Sequence, residues 1–221
     1  MRKFIWAALA LALATGFAQA ADTERVISNP TAMVEAVNAD DLAAMLRELG
    51  AANVQIEDIK GEKVVSFSDG GVPFSIAITL CEKGNTTNCI GFAQLLVMKD
   101  SGYSYETLNQ LNVDTTTLTL FKGEGGSYIG IARVELVDGG VTRARVANAI
   151  LWYVAEAHDA IKKLTTQVVA GVAPDGKTSA LAAGNASAPQ AVKPDAETAT
   201  RMFKTLNRLA DKRPLKKLNA K

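Results

Sequence analysis

The chain predicts an α+β fold, an antiparallel sheet packed by helices in the order α-β-β-β-β-α-β-β-α. Three observations carry this. Phe74, Ile76, Ile78 and Leu80 alternate with Ser75, Ala77, Thr79 and Cys81, the period-2 pattern of a strand with one face in the core. Glycine turns, Lys60-Gly61-Glu62, Asp69-Gly70-Gly71 and Gly123-Glu124-Gly125-Gly126, separate apolar runs at hairpin spacing. Helix-period stripes bracket the strands, one near Leu42 and one far longer after Gly140.

In order, residues 21–37 read as an irregular lead with a turn at Asn29-Pro30, and Ala32–Val37 can add a turn before the first helix. Asn38 is placed to cap that helix, Asp40 and Asp41 fall in its first turn, and Gly50 fits just past its end. Leu42, Met45, Leu46 and Leu49 form its buried stripe. Val54–Ile59 and Lys63–Ser68 predict a hairpin, followed by Pro73–Cys81 with its small-residue second face, able to stand water or a close neighbour. Cys89–Met98 returns and ends in Leu95-Leu96-Val97-Met98, apolar on both sides and so expected to be covered on both faces. Tyr103–Val113 reads as a short helix with Leu108 and Leu111 inward, and Thr117–Phe121 with Tyr128–Val137 as a last hairpin. Ile129 and Ile131 are out of phase with Val134 and Leu136, which predicts a bulge or twist near Ala132.

The closing helix runs from Thr142 to about Val169 on a stripe of Val146, Ala149, Ile150, Tyr153, Ala157, Ile161 and Leu164. Trp152 lies about 140° from the centre of that stripe at ~100° per residue. An aromatic there calls for a second partner, the N-terminal lead, the tail, or an oligomer or ligand outside the chain; simple exposure is the remaining alternative.

The first twenty residues set the compartment. Arg2 and Lys3 precede an apolar run from Ile5 to Phe17, and Ala18-Gln19-Ala20 is a small-x-small cleavage motif, so a signal peptide over 1–20 is expected to be cut between Ala20 and Ala21. The expected location is periplasmic or secreted, with no transmembrane segment in the mature chain. Export makes oxidation the default for Cys81 and Cys89, which flank a polar seven-residue turn and would close the hairpin at its last rungs as a disulfide.

Charge divides the remainder. Residues 21–170 carry 12 basic and 19 acidic side chains, a net of −7; residues 171–221 carry 10 and 4, a net of +6. The acidic body is the expected domain. Ala, Gly, Ser and Pro dominate 171–195, a flexible linker by composition. A short amphipathic helix can follow over 196–209, with Met202, Phe203, Leu206 and Leu209 on one side, before a basic end. Such a tail can stay solvated, fold against its own acidic body, or bind an anionic envelope surface; the export signal counts against nucleic acid, and none is expected as a partner.

No catalytic residues stand out. The one histidine, His158, sits near the edge of the last helical stripe beside Glu156 and Asp159, as a solvated or capping side chain does. No GxSxG or phosphate-binding loop occurs. Asp40-Asp41 is helix-start chemistry and Glu57-Asp58 a strand end. With one histidine and two cysteines spaced for a hairpin, neither a metal site nor a cofactor is expected.

Two stretches carry a family resemblance. Tyr105-Glu-Thr-Leu-Asn-Gln-Leu-Asn112 is similar to a YbjN-domain helix in which a leucine or isoleucine, an asparagine, an aromatic and a second asparagine recur; Leu111 stands where the aromatic is usual. Ala132-Arg-Val-Glu-Leu-Val-Asp-Gly-Gly-Val-Thr-Arg143 is similar to that family's outgoing strand, glycine turn and last helix start. Over roughly 29–161 the chain thus resembles the YbjN-domain family of bacterial sensory transduction regulators, whose fold looks like that of type III secretion chaperones. The resemblance implies helix, antiparallel sheet, second helix, hairpin and closing helix. It also implies a non-enzymatic role, with dimerisation or protein binding. Asn109 and Asn112 are its motif residues, with a structural part in fixing the helix-to-hairpin turn. The sequence therefore leads to an exported, non-enzymatic protein-binding or chaperone-like regulatory module. The alternative is an accessory protein held to an anionic envelope surface by its basic tail.

Overall fold

The computed structural model describes residues 27–81, 88–123, 125–170, 190–193, 198 and 201. The expected leader over 1–20, most of the linker and all but two residues of the 196–209 segment lie outside them.

The elements are β1 (Met33–Val34), α1 (Ala39–Glu48), β2 (Ala52–Ile59), β3 (Glu62–Asp69), β4 (Val72–Cys81), β5 (Cys89–Lys99), α2 (Tyr105–Asp114), β6 (Thr119–Lys122), β7 (Tyr128–Leu136), β8 (Val141–Thr142) and α3 (Arg143–Ala170). β2 to β7 form one six-stranded antiparallel sheet in the order β2-β3-β4-β5-β7-β6. The predicted order of helices and long strands is the observed one. The two-residue strands β1 and β8, which pair through Met33↔Thr142 and Val34↔Val141, are additional.

Local chemistry accounts for the elements. The Asn38 side chain accepts from Asp41 N at 2.9 Å and caps α1, while Gly50, at φ +81°, lets the chain leave that helix. α2 begins two residues later than predicted because Ser104 is its cap, accepting from Thr107 N. Tyr103 belongs instead to the preceding turn, where its N–H donates to Asp100 Oδ1. Lys60-Gly61 and Gly70-Gly71 turn their hairpins with all four φ angles positive, which matches the twist of the flanking strands.

Helices α1, α2 and α3 pack on one face of the sheet. The main core joins Leu42, Met45 and Leu46 of α1, Leu108 and Leu111 of α2, and Val146, Ile150, Tyr153, Ala157 and Leu164 of α3 to Phe67, Phe74, Ile76, Phe92, Leu96 and Ile131. The last helix buries more than the predicted stripe, since Ala147, Val154 and Ala160 are buried as well. Val64, Ala77, Ala93, Leu95, Val97 and Ala132 form a second, smaller cluster on the opposite face. β5 is accordingly buried on both faces, as its apolar end predicts.

Of the bulge or twist expected near Ala132, the bulge is absent. β7 pairs with β5 without interruption from Lys99↔Tyr128 to Gly91↔Leu136. The hydrophobic pattern changes because the identity of the apolar face changes. Ile129 and Ile131 enter the main core. Further along, the same face carries Arg133 and Glu135, which pair with each other, and Arg133 also reaches Glu156 of α3 at 3.6 Å. Val134 and Leu136 point to the second face and stay 39% and 42% exposed.

Candidate functional site

Cys81 and Cys89 are joined by a disulfide with their Cα atoms 4.0 Å apart, on the last paired rung of the β4–β5 hairpin. The chain turns back here, so the bond holds the hairpin mouth together. The Cys89 carbonyl also accepts from Val37 N, which anchors the lead just before α1.

Asn112 bridges α2 and β6. Its amide nitrogen donates to Leu120 O at 2.9 Å and its oxygen accepts from Leu120 N at 2.6 Å, so one side chain satisfies both backbone groups at the start of β6. Asn109 is exposed and takes no part in that bridge.

His158 is half-buried. Its Nε2 lies 3.0 Å from Asp69 Oδ2 at the end of β3, and its ring meets Phe74 edge-on at 5.6 Å. The sequence neighbours Glu156 and Asp159 are not its partners. The pair ties α3 to the β3–β4 turn, a structural use of the only histidine.

Sequence reasoning missed a second tie. Arg143 places two guanidinium nitrogens 3.0 and 3.1 Å from the Glu48 carboxylate, and the same carboxylate accepts from Ser28 N and Ser28 Oγ. The Arg143 hydrogen bond, helped by Ser28, holds the Glu48 carboxyl at about 2 against the opposing effect of burial. A signal was present in the sequence. An acid ending one helix and an arginine beginning another each oppose their helix dipole, so each needs a nearby counter-charge.

Two features point outward. Trp152, in the middle of α3, is 63% exposed, so neither the lead nor the described tail residues bury it. The side of the helix turned inward holds Ile150, Tyr153 and Val154, and Tyr153 donates to Ile131 O at 2.8 Å. The indole therefore stands on a rigid, anchored support.

The other feature lies at the sheet. β4 pairs with β5 only as far as Ser75↔Leu95; its first residues, Val72 and Pro73, stay with β3. Pro73 has no N–H to offer the ladder. In the notch so left, Ala191 faces Met98 as an antiparallel bridge. Lys99 N donates to Gln190 O at 3.2 Å, and Val192 N donates to Val97 O at 2.9 Å. Ala191 packs against the main core and Val192 against the second-face cluster. Lys193 reaches the Glu57 carboxylate at 2.7 Å. Burial acts to raise the Glu57 pKa, but the bonds from Lys193 and Ser66 outweigh it and the net shift is downward. The linker composition of 171–195 therefore does not describe Gln190–Lys193, which lie against the body.

Among the described residues no group of three His, Cys, Asp or Glu side chains could hold a metal ion, and no helix is long and apolar enough to cross a membrane. The polar clusters that are described join elements to one another, while the indole stays exposed and Gln190–Lys193 lie in the sheet notch. This is the build of a one-sided α+β domain. A family model, YbjN, "Putative bacterial sensory transduction regulator", matches residues 38–165, and the chain belongs to that family. No curated protein and no solved structure matches it.

Proposed function

We propose that this chain is an exported, non-catalytic protein-binding module of the bacterial envelope, chaperone-like or regulatory in role, and that the Trp152 side of α3 is its contact surface. The observation that carries the reading is the 63% exposed indole on a helix otherwise locked into the core. Tryptophan offers a large contact area at low entropic cost and is enriched among residues that dominate binding. The regulator description of the family supports the same reading. Attachment to an anionic surface by residues 171–221 is the alternative; of its ten basic residues, Lys193 pairs with Glu57 of the body.

Cleavage after Ala20 would leave Trp152 as the single tryptophan of the mature chain. Its fluorescence then reports this surface alone. The expected result is a blue-shifted emission on self-association or on binding a partner captured in intact envelopes by a photo-crosslinker at the exposed position 155, one turn along the same helix face. Trp152→Ala should abolish the crosslinked complex while leaving the far-ultraviolet circular dichroism unchanged. A strictly monomeric protein with no adduct at position 155 would refute the reading. Export is checked separately by intact mass, which should show a chain beginning at Ala21 in the periplasmic fraction or medium.

A further inference from the structure

We propose that the notch between β4 and β5 is a docking site for an extended segment of a partner polypeptide with the pattern small–branched aliphatic–cation, and that Gln190–Lys193 is its resident occupant. The site is separate from Trp152. It is built by strand addition: the main chain supplies affinity, and alternate side chains supply selectivity.

Each position of the occupant has a defined partner. The first residue offers its carbonyl to Lys99 N, and the third offers its N–H to Val97 O, so the third position cannot be proline. The second side chain, Ala191, is small and packs against the main core. The third, Val192, joins the second-face cluster beside Val64 and Val97. The fourth is a cation on Glu57. Pro189 and Pro194 bracket the segment in sequence, and proline biases the residue before it toward extended backbone.

Among the described residues, the resident segment is held by two backbone hydrogen bonds, the half-buried Ala191 and Val192, and an ion pair whose lysine is 56% exposed. Its advantage is the tether through residues 171–189, which raises its effective concentration at the notch. A partner with the same pattern competes against that tether, because every contact it would make is already formed by the resident.

The test uses the full chain and a fluorescent peptide of residues 186–195. Val192→Pro removes the N–H that binds Val97 O and should unseat the resident segment. Lys193→Glu does so by a different route, should Val192→Pro fold poorly. Either variant should bind the peptide at least tenfold more tightly than the natural chain does, and Glu57→Lys added to it should reverse most of that gain. A peptide with proline in place of Val192 should not bind. Slow amide exchange at Lys99 in the natural chain, accelerated in the variants, should accompany these changes. Two results would overturn the proposal: no peptide binding by variants whose Lys99 amide has become exposed, or a Lys99 amide already unprotected in the natural chain. Sedimentation showing that the natural chain is a dimer which peptide dissociates would assign the notch to a second copy, and would overturn it likewise.

Discussion

Glu48 is the last residue of α1 and Arg143 the first of α3, so each charge sits where its own helix dipole opposes it. Their pairing, completed by Ser28, turns two local penalties into one tertiary tie. The folded Glu48 pKa, about 2, lies below its ordinary value of 4.5. Its contribution to stability is therefore fully present above about 4.5 and is lost as pH falls toward about 2. The carboxylate is partly solvated, which limits the gain. Glu48→Gln should cost about 1–2 kcal/mol at pH 7, and urea titrations at pH 7 and pH 3 should show a smaller acid loss for the variant than for the natural chain. Equal losses would mean that the pair contributes nothing. Gln94 is the opposite case. It is fully buried between Phe92 and Leu96 on β5, and neither amide atom has a hydrogen-bond partner among the described residues. An unpaired buried amide costs about 1–3 kcal/mol, so Gln94→Met, of similar volume, should raise the thermal midpoint. A fall in the midpoint would show that the amide has a partner after all.

At the scale of elements, the disulfide and Asn112 act alike, each fixing where one segment meets the next. Cys81–Cys89 closes a seven-residue loop, for which chain entropy gives about 2–3 kcal/mol. Reduced protein, or the Cys81→Ser/Cys89→Ser pair, should be less stable by that amount in denaturant titrations at unchanged secondary structure; no difference would mean that the β4–β5 ladder alone sets the hairpin. The pairing was legible because two cysteines flanking a polar turn between apolar strands can meet only across the hairpin. The helices and long strands were legible for the same kind of reason, since caps, glycine turns and period act over a few residues. Other features depend on neighbours far along the chain. The change of pattern in β7 suggests a bulge until Arg133 and Glu135 are seen to pair on the face that Ile129 and Ile131 leave. Nothing near Gln190 announces a strand, because its partners are Val97, Lys99 and Glu57. Of the site residues, the unusual angle of Trp152 on its helix was visible from spacing, whereas its exposure depends on what the lead and tail leave uncovered.

At the scale of the molecule, the folded unit extends beyond the 38–165 span of the family match. The lead before α1 completes α3. Arg143 N donates to Ala32 O and Ala144 N to Pro30 O, so backbone carbonyls of the lead satisfy the first N–H groups of the longest helix, which no helical carbonyl can reach. β1 pairs with β8 at the same point, Ile27 is buried in the main core, and Val37 N binds the disulfide-linked Cys89. A single stretch of about ten residues thus joins the start of α3, the end of α1 and the mouth of the β4–β5 hairpin. Removing residues through Val34 should expose the end of α3, break the Ser28–Glu48–Arg143 cluster and uncover part of the core. Losses of this kind together amount to about 3–5 kcal/mol, a large fraction of the stability of a domain this size. The trimmed chain should still bind peptide at the β4–β5 notch when native, because none of the groups that form the notch lies in the lead. Its thermal midpoint should fall by about 10 °C or more, with the steepest rise in amide exchange in the first turn of α3 rather than in β5. Uniform acceleration across the sheet would show instead that the lead supports the whole core, and an unchanged midpoint would show that the family span folds without it.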